Sequence, residues 1–389
     1  MKERNSILSF SFLALLFTAL VINMGVSIII PAMPIIITKN EFSQFFFTLS
    51  FVGLLLGRFI MSNITGYLLI KHSPLMLLLM AFGLHATTMT LFIFVHDEIY
   101  FVLLRACEGI FEGIVSVALQ VMVIALSTPE DRGKKMGIFQ SSFALGFMIG
   151  PAIGGTTLQL FGSQGVFHVT SLLMIVGFIW LLFSAQGIRK EMSTPSKTIP
   201  KFTLDFIAYL PLYSGAILQR GLYVALSILL PLYLVDRFQL SPYQVGFYFT
   251  GSAVITTFLM PIGGRVADTS YINLSLLTSI CSMGISLLGC GLSEKIEYFT
   301  LFYALETLAF AFMAPAAMKK FGDAVQSHPL RGQIVGTSSS MRELINIIMV
   351  LFLVPIYHAS NQLPWFLLGI LTLLVSLPYI HKRRIELAI

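Results

Sequence analysis

Charge is scarce in this chain: Asp, Glu, Lys and Arg make up only 11% of its 389 residues, while 56% are hydrophobic. A soluble domain draws about a quarter of its residues from the charged set to cover its surface, so a water-soluble fold is excluded. Cysteine is sparse as well. Cys107, Cys281 and Cys290 are scattered and form no C-x-x-C pair, which excludes a disulfide framework and leaves them as fillers of irregular apolar space. Also missing are a phosphate-binding G-x-x-x-x-G-K-[ST] loop, an H-E-x-x-H helix and a nucleophile constellation. ATP-driven pumping and hydrolysis thus lack their signatures, and we expect no enzyme activity, no cofactor and no resident metal.

What the chain has instead is long apolar runs. Crossing a bilayer as a helix takes about 20 mostly apolar residues, and twelve such stretches lie near 9–37, 42–70, 74–95, 98–127, 132–161, 165–188, 204–235, 242–267, 271–292, 296–321, 329–358 and 362–381. They are continuous rather than alternating, which favours helices over a β-barrel. The expected fold class is an all-α membrane protein with twelve transmembrane helices. The first run, behind Lys2 and Arg4, is too long for a signal peptide and lacks a small-residue cleavage site, so it is read as retained.

Basic residues set the orientation. With the N-terminus inside, seventeen Lys and Arg fall on the cytoplasmic side, among them Lys71, Arg132, Arg189, Lys190, Arg265, Lys319, Arg331 and Arg383, and only Lys39, Arg237 and Lys295 fall outside. This positive-inside bias predicts a multi-pass protein of the cytoplasmic membrane with both termini cytoplasmic. It also accounts for the formal charge of +6 through topology and anionic lipid, with no nucleic-acid partner.

The longest polar segment, "RKEMSTPSKTIPK" at 189–201, separates six stretches from six. The expected organisation is a six-helix bundle over 1–188, a cytoplasmic linker at 189–203 and a second bundle over 204–389. The halves repeat: "RGKKMG" at 132–137 meets "RGQIVG" at 331–336, "YFVLLRACEG" at 100–109 meets "YFTLFYALET" at 298–307, and "IIIPAMP" at 28–34 meets "ILLPLYL" at 228–234. Three matches at shifts of 198 to 200 residues are an internal duplication. Duplicated halves with substrate held near the bilayer midplane are the plan of a secondary transporter with alternating access.

Along essentially its whole length the chain resembles the major facilitator superfamily. "GFMIGPAIGG" at 146–155 matches the fifth-span pattern G-x-x-x-G-P-x-x-G-G of the proton-coupled antiporter branch, and "LLRACEG" at 103–109 resembles the fourth-span pattern, with Arg105 at its arginine. The loop pattern G-x-L-A-D-R-x-G-R after the second span is degraded: "GYLLIKHSP" keeps Gly66, Leu68 and Lys71 but has Ile70 at the aspartate. Its second-half copy "GRVADTS" keeps Gly264, Val266 and Asp268. The resemblance implies cytoplasmic gating at Gly66, Lys71, Gly264, Asp268, Arg132 and Arg331, resting mainly on the second half.

Glycine weakens a helix in water, but glycines four apart let membrane helices approach closely. Gly146, Gly150 and Gly154, with Gly155, are therefore expected to form a packing seam and Pro151 a bend, either static or moving between states.

Ionisable groups inside apolar spans cost about 2.5–3.5 kcal/mol each on insertion scales and are functional candidates by default. Here they are Arg58, Arg105, Glu108, Glu112, Arg220, Glu306, Arg342 and Glu343. Arg105, Glu108 and Glu112, three and four apart, share one helical face. Burial raises and a nearby cation lowers a carboxyl pKa, so such a group can exchange protons near neutrality. Glu108 and Glu112 are assigned to proton coupling, with Arg105 setting the balance; Glu306 repeats Glu108 in the tenth span and is expected to face it across the cavity. Arg58 and Arg220 have no acidic neighbour on their own helices, so each needs a partner across the bundle or an anionic substrate group. Together with Arg342, Glu343, Asn23, Gln140, Gln219 and Tyr223 they form the expected substrate-binding set. A structural ion-pair network is the competing reading of the same charges, and His85 and His168, in expected peripheral spans, are read as structural or interfacial.

The resemblance implies a proton-coupled exporter of a small molecule, acting as a monomer in the lipid bilayer. Many buried charges suit a polar metabolite, such as the zwitterionic metallophores of staphylopine type, better than a lipophilic cation. Multidrug efflux and lipid flipping are the alternatives.

Overall fold

In a computed structural model the chain is described over residues 9–29, 44–95, 97–191, 206–240, 242–326, 328 and 330–380. The described residues are almost wholly helical. With no water to satisfy peptide groups, an apolar run closes its hydrogen bonds within itself. We number the helices α1 (Phe10–Ile29), α2 (Gln44–Lys71), α3 (Pro74–Leu91), α4 (Glu98–Ala125), α5 and α6 (together Arg132–Glu191), α7 (Phe206–Phe238), α8 (Pro242–Ala267), α9 (Ile272–Leu292), α10 (Ile296–Val325), α11 (Arg331–Ala359) and α12 (Leu363–Ile380). Ten stretches among the described residues are long and apolar enough to cross a membrane, the α5–α6 run counting once, and α12 adds a shorter apolar stretch, Leu363–Ser376.

Boundaries follow local chemistry. Ser73 accepts the Met76 N–H at 3.2 Å ahead of Pro74 at the first turn of α3, and Asp97 accepts the Ile99 N–H at 2.8 Å at the start of α4. Gly162, with φ 70°, separates α5 (132–161) from α6 (163–191); a side chain there would strain the backbone. Pro151, Pro261, Pro315 and Pro355 sit inside helices.

The helices fall into two compact units. One holds residues 1–128, 142–200 and 325–343; the other holds 129–141, 201–324 and 344–389. Thus α5 starts in the second unit and continues in the first, and α11 does the reverse. The linker expected at 189–203 lies outside the described residues from 192 on, as do Lys2, Arg4 and the basic run at 381–384.

In the first unit α2, α3 and α4 pack around small residues. A Cβ on Gly57 would meet the Ala106 carbonyl oxygen at 2.5 Å, one on Gly109 the Leu54 carbonyl carbon at 2.9 Å, and one on Gly113 the Arg58 carbonyl oxygen at 3.1 Å. Backbone therefore touches backbone between α2 and α4, as glycine permits in membrane helices. Phe92 stacks on Phe167 at 5.0 Å between ring centres and meets Phe101 edge-on at 5.2 Å. The outer side of α3 carries Met76, Met80, Leu84 and Leu91, all exposed apolar side chains. In the second unit the core gathers on Tyr233, Phe299 and the fully buried Trp365, with ring centres 5.2 to 5.4 Å apart.

Candidate functional site

Gly109 and Gly113 directly follow Glu108 and Glu112 in α4, so the close approach of α2 brings Arg58 to the carboxylates. Arg58 Nη1 lies 3.3 Å from Glu112 Oε2, and its Nη2 lies 3.6 Å from Glu343 Oε1 on α11. One helical turn before Glu108, Arg105 donates through Nη1 to Glu108 Oε2 at 2.6 Å. Its guanidinium also sits 5.7 Å from the Phe51 ring centre. Arg105, Glu108, Glu112 and Glu343 are all buried. The result is a chain of alternating charges, Glu343–Arg58–Glu112 and Arg105–Glu108, within the first unit.

Arg342, next to Glu343, turns elsewhere: its Nη2 donates to Gln120 Oε1 on α4 at 3.0 Å and to Ser339 Oγ at 2.6 Å. Asn23 folds back to donate to the Ala19 carbonyl at 2.8 Å. His85, read from the sequence as structural or interfacial, is buried, and one of its ring nitrogens lies within 4.8 Å of one carboxylate oxygen each of Glu108 and Glu112, which are equally close to each other. Gln120 and Ser339 were likewise absent from the expected set; a polar side chain on the Glu112 helix two turns on was the available signal for the former.

In the second unit Glu306 is buried, with Thr307 Oγ1 at 3.5 Å from its Oε2 and, among the described residues, no hydrogen-bond partner for its Oε1. Gln140 is buried, and Tyr223 on α7 is partly exposed. Gln219 and Arg220 lie on α7, but their side chains fall outside the described residues.

The seam glycines meet α1. A Cβ on Gly146 would stand 2.9 Å from the Leu20 carbonyl oxygen, one on Gly150 2.8 Å from that of Met24, and one on Gly154 2.9 Å from the Ile28 carbonyl carbon. Gly155 is a correction: a Cβ there meets nothing within 4 Å, so it makes none of the close backbone contacts of the other three. Pro151 is exposed beside it.

Two sets of contacts gather the gating residues. In the second unit Asp268 accepts the Gly133 and Lys134 N–H groups, each at 2.7 Å, at the start of α5, where unsatisfied amides favour a carboxylate. Lys319 of α10 lies 3.6 Å from Asp268 and 3.1 Å from Asp323, which also pairs with the fully buried Arg132. Burial pushes the Asp268 carboxyl up, while the two amides and Lys319 pull it back. The start of α5 can come this close because Gly133 and Gly264 lack side chains: a Cβ on Gly133 would meet the Gly264 carbonyl oxygen at 2.5 Å. In the first unit the matching contact is made of backbone. A Cβ on Gly66 would meet Gln333 Cα at 2.9 Å, one on Gly336 the Ser62 carbonyl oxygen at 2.6 Å, and Ser340 donates to the Phe59 carbonyl at 2.6 Å. Lys71 ends α2 exposed, and Arg331 opens α11 half-buried.

The pattern of the Major Facilitator Superfamily matches residues 15–268 and 212–387. The chain belongs to this family, whose members are membrane transporters and not enzymes. It is 27% identical over 259 residues to the staphyloferrin B transporter of Staphylococcus aureus, covering 62% of this chain and 60% of that one. To the quinolone resistance protein NorA of the same species it is 22% identical, covering 62% of each. To the synaptic vesicular amine transporter of Rattus norvegicus it is 26% identical, covering 53% of this chain and 40% of that one. The matched region thus spans less than two thirds of each relative's length. Its fold is similar to that of the human organic anion transporter MFSD10, with TM-score 0.79 at 16% identity over 95% of this chain and 99% of that one. It is also similar to a bacterial homologue of ferroportin, with TM-score 0.76 at 15% identity over 95% and 98%.

Proposed function

We propose that this chain is a proton-coupled exporter of the cytoplasmic membrane whose substrate is a small anionic or zwitterionic metabolite of the metallophore kind. The observation that carries the reading is the buried chain of charges around Arg58. Buried ion pairs give little net stability, because desolvation offsets their attraction, so retaining several in one membrane unit favours a functional use. The Glu108 and Glu112 carboxylates can take either a proton or the cationic group of a zwitterionic substrate whose carboxylate is held by Arg58. A proton arriving at the site then displaces the substrate, the next substrate displaces the proton, and mutually exclusive binding of this kind is what antiport needs.

The relation to a staphyloferrin B transporter supports a metallophore-type cargo. The relation to NorA and to the efflux pump PmrA of Streptococcus pneumoniae supports multidrug efflux as the second reading. The contacts of Gly66 with α11 and of Asp268 with α5 join helices of opposite sequence halves on the side rich in Lys and Arg; we read them as a closed cytoplasmic latch between bundles divided at 189–203.

The test is proton-driven transport in everted vesicles carrying Glu108→Gln, Glu112→Gln or both. Gradient-driven uptake should vanish in the responsible variant while folded protein remains in the membrane. Undiminished uptake in all three overturns the assignment.

A further inference from the structure

His85 is the one histidine of α3, a helix whose outer side is an apolar stripe of Met76, Met80, Leu84 and Leu91. Its own side chain points the other way and is 1% exposed. There it meets Glu108, which is fully buried, and Glu112, which is 4% exposed. Two polar atoms in this cluster, His85 Nδ1 and Glu108 Oε1, have no hydrogen-bond partner among the described residues. Leaving such atoms unsatisfied away from water is costly, so the arrangement is incomplete without something that joins them.

Both a proton and a divalent cation fit a His and two carboxylates, and charge decides between them. Among the described residues, the charged groups in the cluster or paired with it are Arg105, Glu108 and Glu112 on α4, Arg58 on α2 and, through Arg58, Glu343 on α11. Arg342 is engaged at Gln120, eight residues or about 12 Å along α4 from Glu112. Three carboxylates against two arginines leave one negative charge in excess. One proton neutralises it; a dehydrated divalent ion would leave the site positive in an apolar setting, where net charge is most costly.

We propose that His85, Glu108 and Glu112 form one site that binds a single proton, with His85 a proton-holding member rather than a structural residue. This rests on the proton-coupled reading above. The geometry supplies the route: Arg105 holds Glu108 Oε2 and leaves Oε1 without a hydrogen bond, while Arg58 holds Glu112 Oε2. In the protonated state an N–H or O–H joins atoms that are otherwise unsatisfied. In the deprotonated state Glu108 pairs with Arg105 and Glu112 with Arg58.

The experiment needs no substrate. Purified full-length protein in detergent is titrated while the infrared carbonyl band of protonated carboxylic acid is followed, in the unaltered chain and in His85→Gln, His85→Asn, Glu108→Gln and Glu112→Gln. The unaltered chain should lose one protonated carboxyl, and the band should vanish or fall in a glutamate variant. Both histidine variants should move its midpoint by about one pH unit or more, as for groups that titrate together. A band lost with the glutamates but unmoved by His85 substitution overturns the role of His85 and leaves carboxylate coupling standing. A band that survives in both glutamate variants overturns the coupling site itself. Stoichiometric Zn²⁺ binding lost in His85→Gln would replace the proton by a metal and overturn the proposal. If neither histidine variant is recovered folded, the ¹⁵N resonances of His85 in Glu108→Gln answer the same question: a changed titration supports the shared site and an unchanged one overturns it.

Discussion

Ser27 of α1 donates through Oγ to the carbonyl oxygen of Gly146 on α5 at 3.0 Å, and its hydroxyl occupies the place where a Cβ on Gly150 would stand. The polar atom of one helix thus fills the gap left by a missing side chain on the other. Gly150→Leu should lower stability by about 1–3 kcal/mol, the usual result of overpacking. Gly155→Leu, facing open space, should stay within about 0.5 kcal/mol. Thermal unfolding of the two purified variants checks the contrast.

Arg58 serves two carboxylates, so its removal leaves more uncompensated charge than removal of either partner. Arg58→Met should cost about 3–5 kcal/mol, as for a buried ion pair broken on one side. Adding Glu343→Gln should recover part of the loss, with a coupling of about 0.5–3 kcal/mol in a double-mutant cycle measured by unfolding in detergent.

Asp268 holds two amides of α5 and faces Lys319. Asp268→Ala should weaken this contact by about 1.5–3 kcal/mol, the range for hydrogen bonds to a charged group. Asp268→Asn, which keeps one acceptor, should be milder. Labelling of a cysteine placed on the first turn of α5 should be faster in the alanine variant.

Substrate charge separates the two exporter readings. Arginine grips a carboxylate through a planar fork that lysine lacks. Arg58→Lys or Arg220→Lys should reduce vesicle transport of a carboxylate-bearing substrate by about tenfold or more, equivalent to roughly 1.5–3 kcal/mol. Transport of a lipophilic cation should be unchanged or faster. Cation transport with carboxylates ignored by the unaltered protein would favour multidrug efflux.

The position of α3 shows where reading from sequence stops. Its pattern marks a helix on the outside of the bundle, and the exposed stripe Met76, Met80, Leu84, Leu91 agrees. Yet an outer helix has an inner side, and His85 is on it. Helical periodicity in a span apolar all round carries no phase, so nothing in the sequence says which way the imidazole faces. Glu343 and Arg58 are similar: both are recognisable as costly intramembrane charges, but their meeting depends on α11 lying against α2 through Gly66 and Gly336.

The amino-acid sequence alone determined the helices, their residence in lipid and the family, because apolar length and the peptide groups' need for internal hydrogen bonds act within each segment. It also marked Arg58, Arg105, Glu108, Glu112 and Glu343 as candidates through the cost of placing charge in hydrocarbon. Only the tertiary structure decided which charge meets which, that His85 joins them, and that Gly146, Gly150 and Gly154 touch α1 while Gly155 does not. Those outcomes depend on the rotation and close approach of helices distant in the chain, which backbone contacts at glycine permit and which no local pattern encodes.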